Sequence, residues 1–262
     1  MSWWGKLLGG TFGFVLGGPL GAALGAAIGH NFDEDANRSG KASRSWRQPQ
    51  LELTQSAFFT ATFAMMGHMA KADGLVSREE IEVAEAVMKQ MALPPQQKKL
   101  AMALFKQGKE AGFPADEVLQ QLRRECHYSR HLLQMFMEIQ IATALSDGRL
   151  DAEERKLLEK SAAALGFTQQ EYQFMLQRLQ ASQHMHDQKQ RPANRLADAY
   201  QLLGVDKNSP MEEIKKAYRR LMNQHHPDKL AAKGLPREMM ELASKKTMEI
   251  KEAYELIKQA RA

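Results

Sequence analysis

The stretch "SPMEEIKKAYRRLMNQHHPDK", residues 209–229, carries the start, the face and the stop of one helix. Ser209 stands where an N-cap is expected, Pro210 takes the first helical position, and Glu212 completes an S-x-x-E capping box. Ile214, Ala217, Tyr218 and Leu221 recur at helical spacing as an apolar stripe. Lys215 with Arg219 and Lys216 with Arg220, each pair four apart, set basic groups on the accessible sides. Pro227 ends the helix, since its ring cannot continue the hydrogen-bond ladder.

On its N-terminal side, "DAYQLLGV" from Asp198 reads as a short amphipathic helix closed by Gly204, a natural left-handed cap. On its C-terminal side, Leu242, Ile250, Ala253, Tyr254 and Ile257 keep helical register over roughly 238–258. The two longer helices can pack antiparallel, which puts His226-Pro227-Asp228 at the tip of a hairpin. Taken alone, that tripeptide could be merely a helix stop and the basic residues merely a solvated face. A hydrolytic His226–Asp228 pair fails because no Ser or Cys nucleophile accompanies it in the motif.

In this order, "DAYQLLGV", "IKKAYRRL", His226-Pro227-Asp228 and "EIKEAYELI" resemble the J domain of DnaJ-type co-chaperones, over 195–262. The resemblance implies that His226, Pro227 and Asp228 trigger ATP hydrolysis in a DnaK-type chaperone. It also implies that Lys215, Tyr218 and Arg219, flanked by Lys216 and Arg220, dock on that partner's acidic surface. The chain departs from full-length DnaJ proteins: it has no C-x-x-C repeats, no Gly/Phe-rich stretch after the domain, and a lengthened connection, "LAAKGLPREMME".

The middle of the chain contains a repeat. "AKADGLVSREE" at 70–80 matches "ALSDGRLDAEE" at 144–154, aligning Asp73 with Asp147 and Glu79-Glu80 with Glu153-Glu154. Each copy lies between helical patterns, so each reads as helix, tight turn and helix. Ser77–Glu80 and Asp151–Glu154 have capping-box spacing, which accounts for most of the acids structurally. Binding of a divalent cation by Asp73 and Asp147 is the alternative, but the loop is too short and too poor in carboxylates for the usual Ca²⁺ spacing. The duplicated D-G-x-x-x-x-E-E pattern resembles the TerB-like helical bundle, over 51–180.

Toward the N-terminus, "GKLLGGTFGFVLGGPLGAALGAAIG" sets glycines at 5, 9, 13, 17, 21, 25 and 29. Between Leu7 and Gly29 there is no charged side chain, and about 20 such residues span a bilayer as a helix. Glycine weakens a water-exposed helix, whereas in lipid small residues every fourth position let two helices approach closely. Residues 1–32 therefore read as a transmembrane anchor, kinked by Pro19, with Gly13, Gly17, Gly21 and Gly25 as a self-association face that would make a homodimer. Lys6 alone precedes the run, and Arg38, Lys41, Arg44 and Arg47 follow it, which places the N-terminus outside and the bulk in the cytoplasm. An anchor, a TerB-like middle and a terminal J domain together resemble membrane-anchored DnaJ-like proteins of the Gram-negative inner membrane.

Polar stretches at 33–50 and 181–194 read as linkers, and His184 and His186 in the second lack further metal ligands around them. The formal net charge is +5, but residues 51–180 hold 15 basic and 17 acidic side chains against 14 and 10 over 195–262. The basic excess is local to the C-terminal segment and lacks interleaved aromatics, so an acidic protein partner is expected rather than nucleic acid. The lone Cys126 excludes an intrachain disulfide framework and reads as a small buried residue. The soluble part reads all-α. No phosphate loop, nucleophile–base set, metal spacing or cofactor motif marks an enzyme. Two functions remain: a regulatory co-chaperone that recruits DnaK to the membrane, or a membrane scaffold whose TerB-like domain binds a partner or cation.

Overall fold

The computed structural model describes residues 17–31, 49–71, 85, 88–89, 91, 93–126, 129–145, 150–186 and 192–261. Among these the regular elements are helical: α1 (Gly18–Asn31), α2 (Pro49–Ala70), α3 (Pro95–Gly108), α4 (Ala115–Glu125), α5 (Arg130–Ala144), α6 (Ala152–Ala164) and α7 (Gln169–His186). After them come α8 (Pro192–Leu203), α9 (Met211–His225), α10 (Pro227–Lys233), a 3₁₀ turn (Arg237–Met239) and α11 (Met240–Ala260).

Two apolar cores organise these helices. The first gathers Phe58, Phe59, Phe63, Leu104, Phe105, Phe136 and Tyr172 from α2, α3, α5 and α7. Helix α2 is apolar nearly all round, which is why it runs through the centre of this bundle. Where α2 crosses α3, Gly67 and Gly108 let the backbones touch: a Cβ on Gly67 would strike the Phe105 carbonyl, and one on Gly108 the Ala64 carbonyl. Cys126 is buried here, and burial pushes its thiol up to about 12, so it is an inert core residue as read from the sequence.

The second core joins Tyr200, Leu203, Ile214, Leu221, Ile250, Ala253 and Ile257 from α8, α9 and α11. Helix α7 belongs to both, since Met175 and Leu176 lie in the first core and Ala181 and Met185 in the second. That corrects the linker drawn at 181–194: residues 181–186 continue α7 because two of them have apolar partners in the second core. His184 lies exposed on this helix.

The repeat is described in part. Asp151 caps α6 as expected, its carboxylate accepting from the Glu154 N–H at 2.7 Å while the Glu154 carboxylate accepts from the Asp151 N–H at 3.2 Å. Asp73, Ser77, Glu80 and Asp147 lie outside the described residues.

Helix α1 lies against α3 and α4, with Leu20 and Leu24 fully buried. Gln121 of α4 holds its start from both sides, accepting from the Leu20 N–H and donating to the Gly17 carbonyl, each at 2.9 Å. Gly17 and Gly18 both take left-handed φ, so the helix begins at Gly18 and Pro19 falls in its first turn. A kink at Pro19 is therefore not formed, because a first-turn N–H has no intrahelical partner to lose. Gly21 is buried, and the space beside Gly25 is open. Gly13 and the first half of the expected span lie outside the described residues. Among the described residues no helix is long and apolar enough to cross a membrane.

Candidate functional site

Helix α9 presents the surface foreseen in its sequence with one change at its start. The structure sets the N-cap at Pro210, with no side-chain cap, so the Ser209–Glu212 box is not formed. Ser209 instead belongs to the preceding turn, where its N–H donates to the Asp206 carbonyl. Glu212 and Glu213 still place negative charge in the first turn, where the helix dipole favours it. Ile214, Ala217 and Leu221 are buried, and Lys215, Lys216, Arg219 and Arg220 all face solvent. None of these four forms an ion pair among the described residues. Tyr218 is half-buried and stacks on Tyr254 of α11, ring centroids 4.3 Å apart.

The tripeptide is both a stop and a start. His226 is extended (φ −61°, ψ 123°), as a residue before proline should be, and this breaks α9. Pro227 then occupies the first position of α10, Asp228 lies in its first turn, and His226 serves as the N-cap. The His226 Nδ1 accepts from the Asp228 N–H at 3.2 Å, which leaves the ring proton on Nε2. His226 and Pro227 are half-buried and Asp228 is exposed, so the tip is accessible beside the basic face of α9.

The neighbouring histidine has the opposite environment. His225 is buried, its Nε2 3.6 Å from the carboxylate of Glu138 on α5. Burial pulls the His225 imidazole down to about 4 against the pull of Glu138, so it is neutral at neutral pH. Burial opposes ionisation of Glu138, but His225, Lys246, Arg178 and the amide of Gln134 outweigh it and hold the carboxyl below its ordinary value. Arg178 in turn donates to the Leu202 carbonyl at 2.9 Å, and Ser182 to the carboxylate of Glu249 at 2.8 Å. Sequence reading missed this polar group. The available signal was a charged residue inside each of two apolar runs, "MFMEIQI" and "FMLQRL".

The long connection after the tripeptide is also ordered differently from a loop. It forms α10, a left-handed turn at Gly234 (φ +112°) and the 3₁₀ turn, and it buries Leu230, Leu235 and Met239 in the first core.

Residues 1–45 match the family described as the co-chaperone DjlA transmembrane domain, 59–177 the tellurite resistance protein TerB, and 198–262 the DnaJ domain. The co-chaperone protein DjlA of Photobacterium profundum is 44% identical over 271 residues, covering 97% of this chain and 98% of the relative. Those of Shewanella oneidensis (45% over 261 residues; 100% and 99% covered) and Coxiella burnetii (44% over 268; 100% and 99%) are similar along the whole length. The chain belongs to the DjlA co-chaperone family. No solved structure matches it. As a DjlA-family member it is a membrane-anchored co-chaperone with a J domain, in which α8, α9 and α11 form the J-domain core and α2 to α7 the TerB-like bundle.

Proposed function

We propose that this DjlA-family chain holds a DnaK-type chaperone at the inner membrane and stimulates its ATP hydrolysis through His226-Pro227-Asp228. The observation that carries this reading is the continuity of an exposed basic face, Lys215, Lys216, Arg219 and Arg220, with the accessible tip. The basic groups steer and hold an acidic surface, with Tyr218 beside them, and the tip then acts on the partner. The chain is no enzyme here: the nucleotide and the chemistry are the partner's. The N-terminal segment anchors the chain at the inner membrane, with the N-terminus periplasmic and the bulk of the chain cytoplasmic. No nucleic acid, metal or cofactor is required.

The test uses the full chain in detergent or nanodiscs. His226→Gln should keep the helical circular-dichroism spectrum and abolish stimulation of single-turnover ATP hydrolysis by DnaK. Arg219→Glu should instead raise the concentration for half-maximal stimulation, and added salt should narrow its gap to wild type as screening weakens attraction and repulsion alike. Full stimulation by folded His226→Gln would defeat the mechanism.

A further inference from the structure

The tip of the J domain is held from outside the J domain. On its N-terminal flank, Gln224 donates to the side chain of Gln134, and His225 lies against Glu138. On its C-terminal flank, the Lys233 ammonium lies 2.8 Å from Nδ1 of His131. His131, Gln134 and Glu138 recur at helical spacing, so one face of α5 grips both flanks of the tripeptide. Leu230 and Leu235 enter the first core, and Gly234 packs so closely on Thr54 that a Cβ would lie 2.5 Å from its methyl group. Farther along, the Gln97 amide donates to Glu238 at 2.9 Å. The residues that lengthen the connection after the tripeptide are thus the ones that reach the TerB-like bundle.

From this we infer that the TerB-like bundle is a positioning element for the trigger, in which α5 clamps residues 224–235 and fixes the tip in the geometry that acts on the chaperone. Occlusion is the other role such a contact could have, and exposure decides between them. With the clamp in place, Asp228 and the four basic residues of α9 are exposed, so the clamped form is the one able to dock. The inference rests on the co-chaperone reading above and assigns the middle domain a part in it. His131, Gln134 and Glu138 act through the tip and are positioning residues. By holding this connection ordered, the bundle lowers the entropy lost when the partner engages the tip.

The test is His131→Ala/Gln134→Ala in the full chain, two half-buried positions whose truncation leaves both cores intact. Amide exchange over 226–239 should rise about tenfold, as expected when a local opening loses two modest hydrogen bonds, with α2 and α3 unchanged. Maximal stimulation of DnaK should fall severalfold while the half-maximal concentration stays constant. The conservative His131→Asn, which keeps an acceptor for Lys233, should behave as wild type. Unchanged exchange over 226–239 would overturn the clamp. Raised exchange with an undiminished maximum, or a shift in half-maximal concentration alone, would overturn its role in triggering. A wild-type chain without any stimulation would overturn the co-chaperone reading and the triggering role together, and the exchange data would still decide the clamp.

Discussion

The base and the tip of the J-domain hairpin are held by different parts of the molecule. At the base, Ile250, Ala253 and Ile257 of α11 pack on Leu203 and Ile214, and Arg261 ties the last turn of α11 back to the connection before α9. At the tip, Leu230, Leu235 and Met239 belong to the core of another domain, and a buried charge on α5 faces the last residue of α9. His225 and His226 mark the division within two residues, one buried and neutral, the other half-exposed and capping α10. The tripeptide is therefore a J-domain motif in sequence and an interdomain element in space.

The largest expected effect comes from emptying one core without touching the other. Leu230 and Ile250 are both fully buried, and each change to alanine should cost roughly 2–5 kcal/mol. Leu230→Ala should raise amide exchange in α3, α5 and α10 and leave the base of the hairpin protected. Ile250→Ala should do the reverse. Similar exchange maps for the two variants would show one cooperative core and break the comparison.

A smaller effect separates the two sides by pH. A histidine held at about 4 when folded and titrating near its ordinary 6.5 when unfolded favours the unfolded chain as acid is added. Its contribution is complete above 6.5 and is lost as pH falls toward 4. The groups facing it are Glu138, Arg178, Lys246 and His131, of which Glu138 opposes the shift. Between pH 7 and pH 5, His225 should account for about 2 kcal/mol of lost stability. His225→Gln should lose that much less over the same interval in urea titrations of the full chain. Equal losses in both proteins would mean that His225 is solvated and the tip not buried against α5.

Much of the base was legible in the sequence because its signals are local. The stripe of α9 and the Gly204 cap each depend on residues within a few positions of one another, as does the Asp151–Glu154 box of the bundle. The Ser209 cap failed for an equally local reason, because Pro210 becomes the N-cap and shifts the helix one residue on. The tip itself was legible, but what holds it was not. Leu230, Leu235 and Met239 follow no helical period, since a left-handed glycine and a 3₁₀ turn separate them, and their partners lie in another domain. The basic residues of α9 could be placed on an exposed face, but the grip of α5 on both flanks of the tripeptide needs the tertiary structure.

The smallest effect concerns the base and sharpens the contrast in how charge is used there. Arg261 donates to the Tyr200 hydroxyl at 2.7 Å, to the Ser209 carbonyl at 2.6 Å and to the Lys207 carbonyl, with its guanidinium over the Tyr200 ring. Every acceptor is neutral, so this arginine works through the fixed fork of its donors rather than through its charge. Lysine at 261 keeps the charge but cannot reach three acceptors at once. Arg261→Lys should therefore lose about 1 kcal/mol, the net value of one or two such bonds, measured as a shift in urea midpoint at constant slope. Because no counter-charge is involved, raising salt should leave that loss unchanged, whereas the docking defect of Arg219→Glu should shrink. A loss at Arg261→Lys that disappears in salt would show that the last turn of α11 is held by long-range attraction, which would make the base of the hairpin as electrostatic as the basic face beside its tip.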